Sequence, residues 1–196
     1  MILYKYWSEV KIVKDKMRKR GLELLKNLRN DPKKKVELES KILSQLFETR
    51  IWQGTEVIAI TMSLPFEFNT KPIIEEAWKT GKKCYVPKVL ANNQMTFIQI
   101  TPDTRYEKGV FGIKEPIGDS ISSFSKTALM IVPGLIFNRE GYRIGQGGGY
   151  YDRYLSNYKG ITASLVFPQQ LSDDWTPEKF DQPVDYIITT EKVIEV

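Results

Sequence analysis

The run Arg143-Ile144-Gly145-Gln146-Gly147-Gly148-Gly149-Tyr150-Tyr151-Asp152-Arg153 carries the densest chemical signal in the chain. Glycines at 145, 147, 148 and 149 let the backbone approach an anion closely. A helix starting just after them would turn unpaired N–H groups and its positive dipole end toward that anion. Arg143 adds a fixed charge, Tyr150 and Tyr151 offer stacking surface, and Asp152 offers a carboxylate for Mg²⁺. A tight strand-to-helix turn would use the same glycines. The length of the surrounding loop, 133–149, favours a functional role. Two better-known phosphate loops are excluded. A Walker A motif needs Gly-Lys-Ser/Thr where Tyr150, Tyr151 and Asp152 stand, and the dinucleotide fingerprint fails at its third glycine, which is Tyr150.

Composition narrows the chemistry further. The chain has no histidine, which removes Ser-His-Asp and Cys-His catalysis and the usual general base near neutral pH. Its single cysteine, Cys84, forms no internal disulfide and builds no zinc site. A net charge of +5 favours anionic partners, whether nucleic acid, phosphate-bearing cofactors or carboxylate-rich small molecules. With 196 residues and 41% hydrophobic content, one domain with a well-buried core is expected over 1–196. The longest nearly apolar stretch, 128–137, is too short for a bilayer and is interrupted by Pro133 and Gly134, so it is expected as a buried strand. The start lacks a signal-peptide pattern, and a cytoplasmic protein is expected.

These groups need elements to position them. Apolar residues Val10, Val13, Met17, Leu24, Leu25 and Leu28 predict an amphipathic helix over 8–30, despite Gly21. A second helix should start with Asp31 as cap and Pro32 in its first turn, bury Val36, Leu38, Ile42, Leu46 and Phe47, and stop at Gly54. Strands are then expected at 57–62, 84–86, 95–100, 129–132, 161–167 and 186–189, with helices over 71–79 and from the glycine loop through Tyr158. Residues 101–125 read as turn-rich. The pattern predicts an α/β fold: a three-layer α/β/α arrangement around a largely parallel sheet, with helices on both faces, an N-terminal helical hairpin, and ligands outside the carboxyl ends of the strands.

Residues 132–153, VPGLIFNREGYRIGQGGGYYDR, resemble the signature of the 5-formyltetrahydrofolate cyclo-ligases, also called methenyltetrahydrofolate synthetases. KDKMR at 14–18, MSLPFEFNT at 62–70, GIKEP at 112–116 and PVDYIIT at 183–189 are similar to the same family in the same order. The resemblance implies a monomeric enzyme that uses ATP and Mg²⁺ to close 5-formyltetrahydrofolate, with or without a polyglutamate tail, into 5,10-methenyltetrahydrofolate, and that has no nucleic-acid or membrane partner. It implies ATP contacts from Lys14, Arg18, Arg143, Gly145, Gln146, Gly147, Gly148, Gly149 and Tyr150, and catalytic roles for Arg143 and Tyr151. Met62, Glu67, Phe111, Tyr150 and Tyr151 match the folate pocket, and Asp152 and Asp185 match the magnesium ligands. Without the family motif, Lys14 and Arg18 would read as part of a solvated basic face shared with Lys11, Lys16, Lys19 and Arg20. The chain departs from the family in three places: Gln146 and Gly148 stand where some members carry basic residues, Asn138 where aspartate is common, and Phe180 where many members have histidine in a Glu-x-His-Asp run. Two other functions fit the residues less well. A sugar-phosphate isomerase or transferase would use the glycine loop without ATP. An RNA-binding module would want its basic residues interleaved with aromatics, whereas here they concentrate before residue 36, away from the double tyrosine.

Overall fold

The computed structural model describes residues 2–109 and 114–196, and the side chains of residues 10–107, 109 and 115–196. Seven strands form the central sheet in the order β11-β10-β9-β6-β1-β2-β3. The core strands β1 (Val57–Ile60), β2 (Lys83–Val89), β6 (Leu129–Ile131), β9 (Ile161–Leu165) and β10 (Tyr186–Ile188) run parallel. Both edges, β3 (Met95–Ile100) and β11 (Val193–Glu195), are antiparallel. Period-two alternation divides the side chains between two layers. Ile58, Ile60, Leu129 and Ile131 join the core beneath helices α1 (Ile2–Arg29), α2 (Pro32–Glu48), α3 (Arg50–Gln53) and α4 (Lys71–Lys79). Ala59, Met130 and Val132 face the opposite core, which packs against α5 (Tyr150–Leu155).

The N-terminal helices pair as expected, with Asp31 accepting a hydrogen bond from the Lys34 N–H at 3.1 Å and Pro32 opening α2. Their buried stripes differ from the expectation. On α1 the buried positions are Lys14, Met17, Gly21, Leu25 and Leu28, while Val13 is exposed. On α2, Val36 faces solvent, and Glu39, one turn on, is buried instead. Glu39 accepts hydrogen bonds from Lys35 Nζ at 2.5 Å and from the Asn69 N–H at 2.8 Å, so the helix pins the loop that follows β1. Thr49 ends α2 and caps the short α3.

Two features of the 101–149 region exceed the sequence reading. The turn-rich stretch contains a hairpin of β4 (Tyr106–Lys108) and β5 (Lys114–Pro116). The glycine-rich loop contains another, β7 (Ile136–Phe137) and β8 (Arg143–Ile144), antiparallel to each other. Met17 of α1 packs on Ile136, Ile144 and Trp175. Gly21 makes that approach possible: a Cβ there would sit 2.8 Å from the Leu135 carbonyl oxygen.

Candidate functional site

The carboxyl ends of β1, β6 and β9 open onto a cavity of about 40 Å³, lined among others by Thr61, Ser63, Glu67, Pro133, Gly134 and Gln170. The loop from 61 to 70 is closed on itself. Thr70 Oγ1 donates to the Thr61 carbonyl at 2.8 Å and accepts from the Ser63 N–H at 3.2 Å, and the Thr70 N–H donates to Ser63 Oγ at 3.2 Å. Within it Glu67 Oε2 accepts the Leu64 N–H at 2.9 Å. Burial raises the Glu67 carboxyl above its ordinary value, and the Leu64 N–H opposes that shift. Gln170 is buried and donates to the carbonyls of Gly134 at 3.0 Å and Leu135 at 3.1 Å, fixing the backbone after β6.

Tyr151 comes from α5 with its hydroxyl buried and without a hydrogen-bond partner among the described residues. Burial pushes its ionisation well above the ordinary tyrosine range; Glu67 adds to the shift, while Arg143 and the Thr61 side chain oppose it without completing a bond. The group is therefore a neutral O–H donor awaiting an acceptor. Arg143 lies over the Tyr151 ring, 5.9 Å from its centroid, and is itself only 5% exposed. Burial lowers the guanidinium pKa, and Asp152, Tyr151 and Asp181 counter it. Arg143 donates to Asp152 Oδ1 at 3.1 Å and to the Gln182 carbonyl at 2.6 Å.

Lys14 does not lie on a solvated face. It is 5% exposed, and its Nζ donates to Glu178 Oε2 at 2.6 Å and to Asp181 Oδ2 at 2.5 Å. Arg18, one turn on, donates from Nε to the Gly145 carbonyl at 3.2 Å and also pairs with Asp15. Gly147 and Gly149 take φ of +95° and +65°, backbone that side chains rarely adopt. A Cβ on Gly147 would stand 3.5 Å from Arg18 Nε, so the arginine lies against the loop. Gln146 is exposed, and the Tyr150 ring folds over Gly148. Helix α5 ends at Leu155, short of Tyr158, so the dipole expected to face the loop comes from fewer than two turns. Positive charge at the loop comes from Arg18 on the Gly145 carbonyl, from Arg153 on the Gly148 carbonyl and from Arg143 at the loop's start.

The structure gathers Arg18, Arg143, Tyr151 and Asp152 about the glycine loop, and Lys14 on the 178–182 turn that also holds Arg143 and Asp152, while the charge of Glu67 acts on Tyr151. Met62 packs against the main core and is not among the cavity's lining residues. Phe111 lies outside the described residues. Asp152 and Asp185 share no hydrogen-bond partner among the described residues. Asp185 precedes β10 and faces the amino end of β9, its Oδ2 accepting the Thr162 N–H at 2.8 Å and Thr162 Oγ1 at 2.7 Å. That geometry is a clamp between two strands. The hydrogen bonds that Asp152 accepts fall on Oδ1, from Arg143 and from the Gln182 N–H at 3.2 Å, which leaves Oδ2 for a cation. Among the described residues no cluster of three or more Asp, Glu, His or Cys is arranged to hold a metal. A magnesium ion at Asp152 would thus complete its shell from phosphate oxygens and water, as this ion commonly does. Sequence reasoning passed over Thr61, Gln170, Glu178 and Asp181; the Glu178-to-Asp181 spacing was its one available signal, noted only for the phenylalanine it contains.

Comparison with known proteins bears on the family and the fold. A model of the 5-formyltetrahydrofolate cyclo-ligase family matches residues 10–190. The 5-formyltetrahydrofolate cyclo-ligase of Escherichia coli (strain K12) is 30% identical over 145 residues, covering 70% of this chain and 80% of its own. The mouse enzyme of that name is 29% identical over 187 residues, covering 87% and 92%. The NMR structure of Aquifex aeolicus 5,10-methenyltetrahydrofolate synthetase superposes with a TM-score of 0.78 at 28% identity, over 93% of this chain and 92% of that one. With the family match spanning nearly the whole sequence and the fold shared, the chain belongs to the 5-formyltetrahydrofolate cyclo-ligase family.

Proposed function

We propose that the chain catalyses ATP-dependent closure of 5-formyltetrahydrofolate to 5,10-methenyltetrahydrofolate, releasing ADP and phosphate. The observation that carries this reading is the convergence of two buried cations, Lys14 and Arg143, on the turn that also holds Asp152, with the Tyr151 hydroxyl buried under Arg143 and without a hydrogen-bond partner among the described residues. In the proposed reaction the formyl oxygen bonds to the γ-phosphorus of ATP as the bond to ADP breaks. N10 then adds to the formyl carbon and loses its proton, and the oxygen leaves as phosphate. Formyl oxygen is a poor leaving group as oxide and a good one as phosphate, so the reaction needs alignment and charge neutralisation more than a general base. A chain without histidine can supply both.

In this reading Lys14, Arg18 and Arg143 bind the triphosphate, and Gly145 to Gly149 admit it to close backbone range. Asp152 Oδ2 would hold Mg²⁺, whose charge neutralises phosphate oxygens. Glu67 accepts N–H groups of the pterin, and the Tyr151 O–H donates to the folate. Asp185, clamped at Thr162, is better suited to holding β9 and β10 in register. We further read residues 1–196 as one catalytic unit working as a cytoplasmic monomer; none of its described helices is long and apolar enough to cross a membrane. The test is to incubate the protein with 5-formyltetrahydrofolate and Mg²⁺-ATP, omit each component in turn, and follow the methenyl absorbance. The expected result is signal only in the complete mixture. Absence of ATP-dependent signal overturns the proposal.

A further inference from the structure

Residues 178–182 form a tight turn, closed by the Asp181 N–H on the Glu178 carbonyl at 3.0 Å and by the Glu178 N–H on Asp181 Oδ2 at 2.6 Å. Three charged groups from three other elements end on it. Lys14 of α1 donates to Glu178 Oε2 and Asp181 Oδ2, Arg143 of β8 donates to the Gln182 carbonyl, and Asp152 of α5 accepts the Gln182 N–H.

A purely structural role explains this poorly. Helix α1 is already docked by Leu25 and Leu28 in the main core, by Met17 on Ile136, Ile144 and Trp175, and by Gly21 against Leu135. Buried ion pairs add little stability over apolar residues of the same volume, so an additional anchor would not need three charges. What such a pair does supply is a fixed position. An ammonium has three N–H donors, and two carboxylates engage two of them, leaving the third for an incoming oxygen.

We propose that Glu178 and Asp181 are positioning residues of the nucleotide site. They fix the Lys14 ammonium for a phosphate oxygen, while the backbone of Gln182 sets Arg143 and Asp152 in the same frame. The inference rests on the reading that Lys14 meets the triphosphate. Supporting shells of this kind decide whether a site holds its groups within productive range.

The test is steady-state kinetics of Asp181→Asn, Glu178→Gln, Lys14→Ala and the double variant Lys14→Ala/Asp181→Asn, with binding of a non-hydrolysable ATP analogue measured by calorimetry. The expected result for Asp181→Asn is a rise of about tenfold in KM for ATP with KM for the folate within about twofold, and a matching loss of analogue affinity. The double variant should be no worse than Lys14→Ala alone, because the carboxylate acts through the lysine. Additive losses, equal shifts in both KM values, or tighter nucleotide binding in Asp181→Asn would overturn the proposal, the last because the carboxylate would then be competing with phosphate. Should Asp181→Asn fail to fold, Glu178→Gln carries the same test, since the Glu178 side chain is 31% exposed. A parent protein without methenyl product would sink the functional reading itself, whereas an active parent with an unaffected Asp181→Asn variant sinks only this inference.

Discussion

The Tyr151 hydroxyl is buried, neutral and without a hydrogen-bond partner among the described residues, a state that costs stability unless a ligand completes it. Replacing it by phenylalanine relieves that cost. Tyr151→Phe should melt higher than the parent, by about 1 kcal/mol of folding stability, while kcat/KM for the folate falls about tenfold. A calorimetric scan and a folate titration together check the pair; lower stability with unchanged kinetics would make the tyrosine mere packing. Glu67 behaves in a related way with the opposite charge logic. Its folded pKa is raised by burial, so the stability it contributes is fully present below its ordinary value of 4.5 and is lost as pH rises through the folded pKa. Glu67→Gln should therefore be more stable than the parent at neutral pH, with the gap closing toward pH 4, and its KM for the folate should rise about tenfold. Melting curves across that range decide it: a gap independent of pH would mean that Glu67 is not desolvated. Both residues were legible from the family signature, but their environments were not. Nor was the burial of Lys14, because a lysine inside an apolar stripe lowers the helical signal and shifts the apparent face toward Val13. Glu178 and Asp181 stayed invisible because their partner lies 164 and 167 residues away.

At the scale of elements, α1 is the part whose placement matters most, since Lys14, Arg18 and the close contact at Gly21 share one helix. Gly21→Ala would gain about 1 kcal/mol in helix propensity. It would also drive a methyl to 2.8 Å from the Leu135 oxygen and 2.9 Å from its Cβ. Overpacking costs about 1–3 kcal/mol and should win, with α1 shifting off the β7–β8 hairpin. The expected outcome is a lower melting temperature and a several-fold higher KM for ATP, because the lysine and arginine move with the helix; a more stable variant would show that the contact has slack. Regular elements with strong periodicity were readable to the residue, as with Lys71–Lys79 and Met95–Ile100. The β7–β8 hairpin was not, since its strands are two residues each and carry no period. Short β11 escaped for the same reason. Helix α5 was overextended through Tyr154 and Tyr158, whose aromatic spacing continues the helical pattern although the chain has already turned.

Across the whole molecule, the parallel sheet fixes where its loops meet. The segments after β1 and β6 form the cavity wall, the hairpin and glycine loop lie between β6 and β9, and the turn before β10 returns to bind what α1 brings. Lys14 thus meets Asp181, and Arg143 meets Tyr151, although no sequence window contains them all. The α/β class and this edge of the sheet followed from the alternation of strands and helices. The site's charge balance did not, because its paired groups come from opposite ends of the chain. The proposed transfer of the formyl oxygen to phosphorus leaves a mark independent of any mutation. 5-Formyltetrahydrofolate carrying ¹⁸O in its formyl group, turned over with Mg²⁺-ATP, should deliver the label to inorganic phosphate, one labelled phosphate for each methenyl product formed. Unlabelled phosphate with the heavy oxygen recovered in water would contradict it, because the ring would then have closed without phosphorylation of the formyl oxygen.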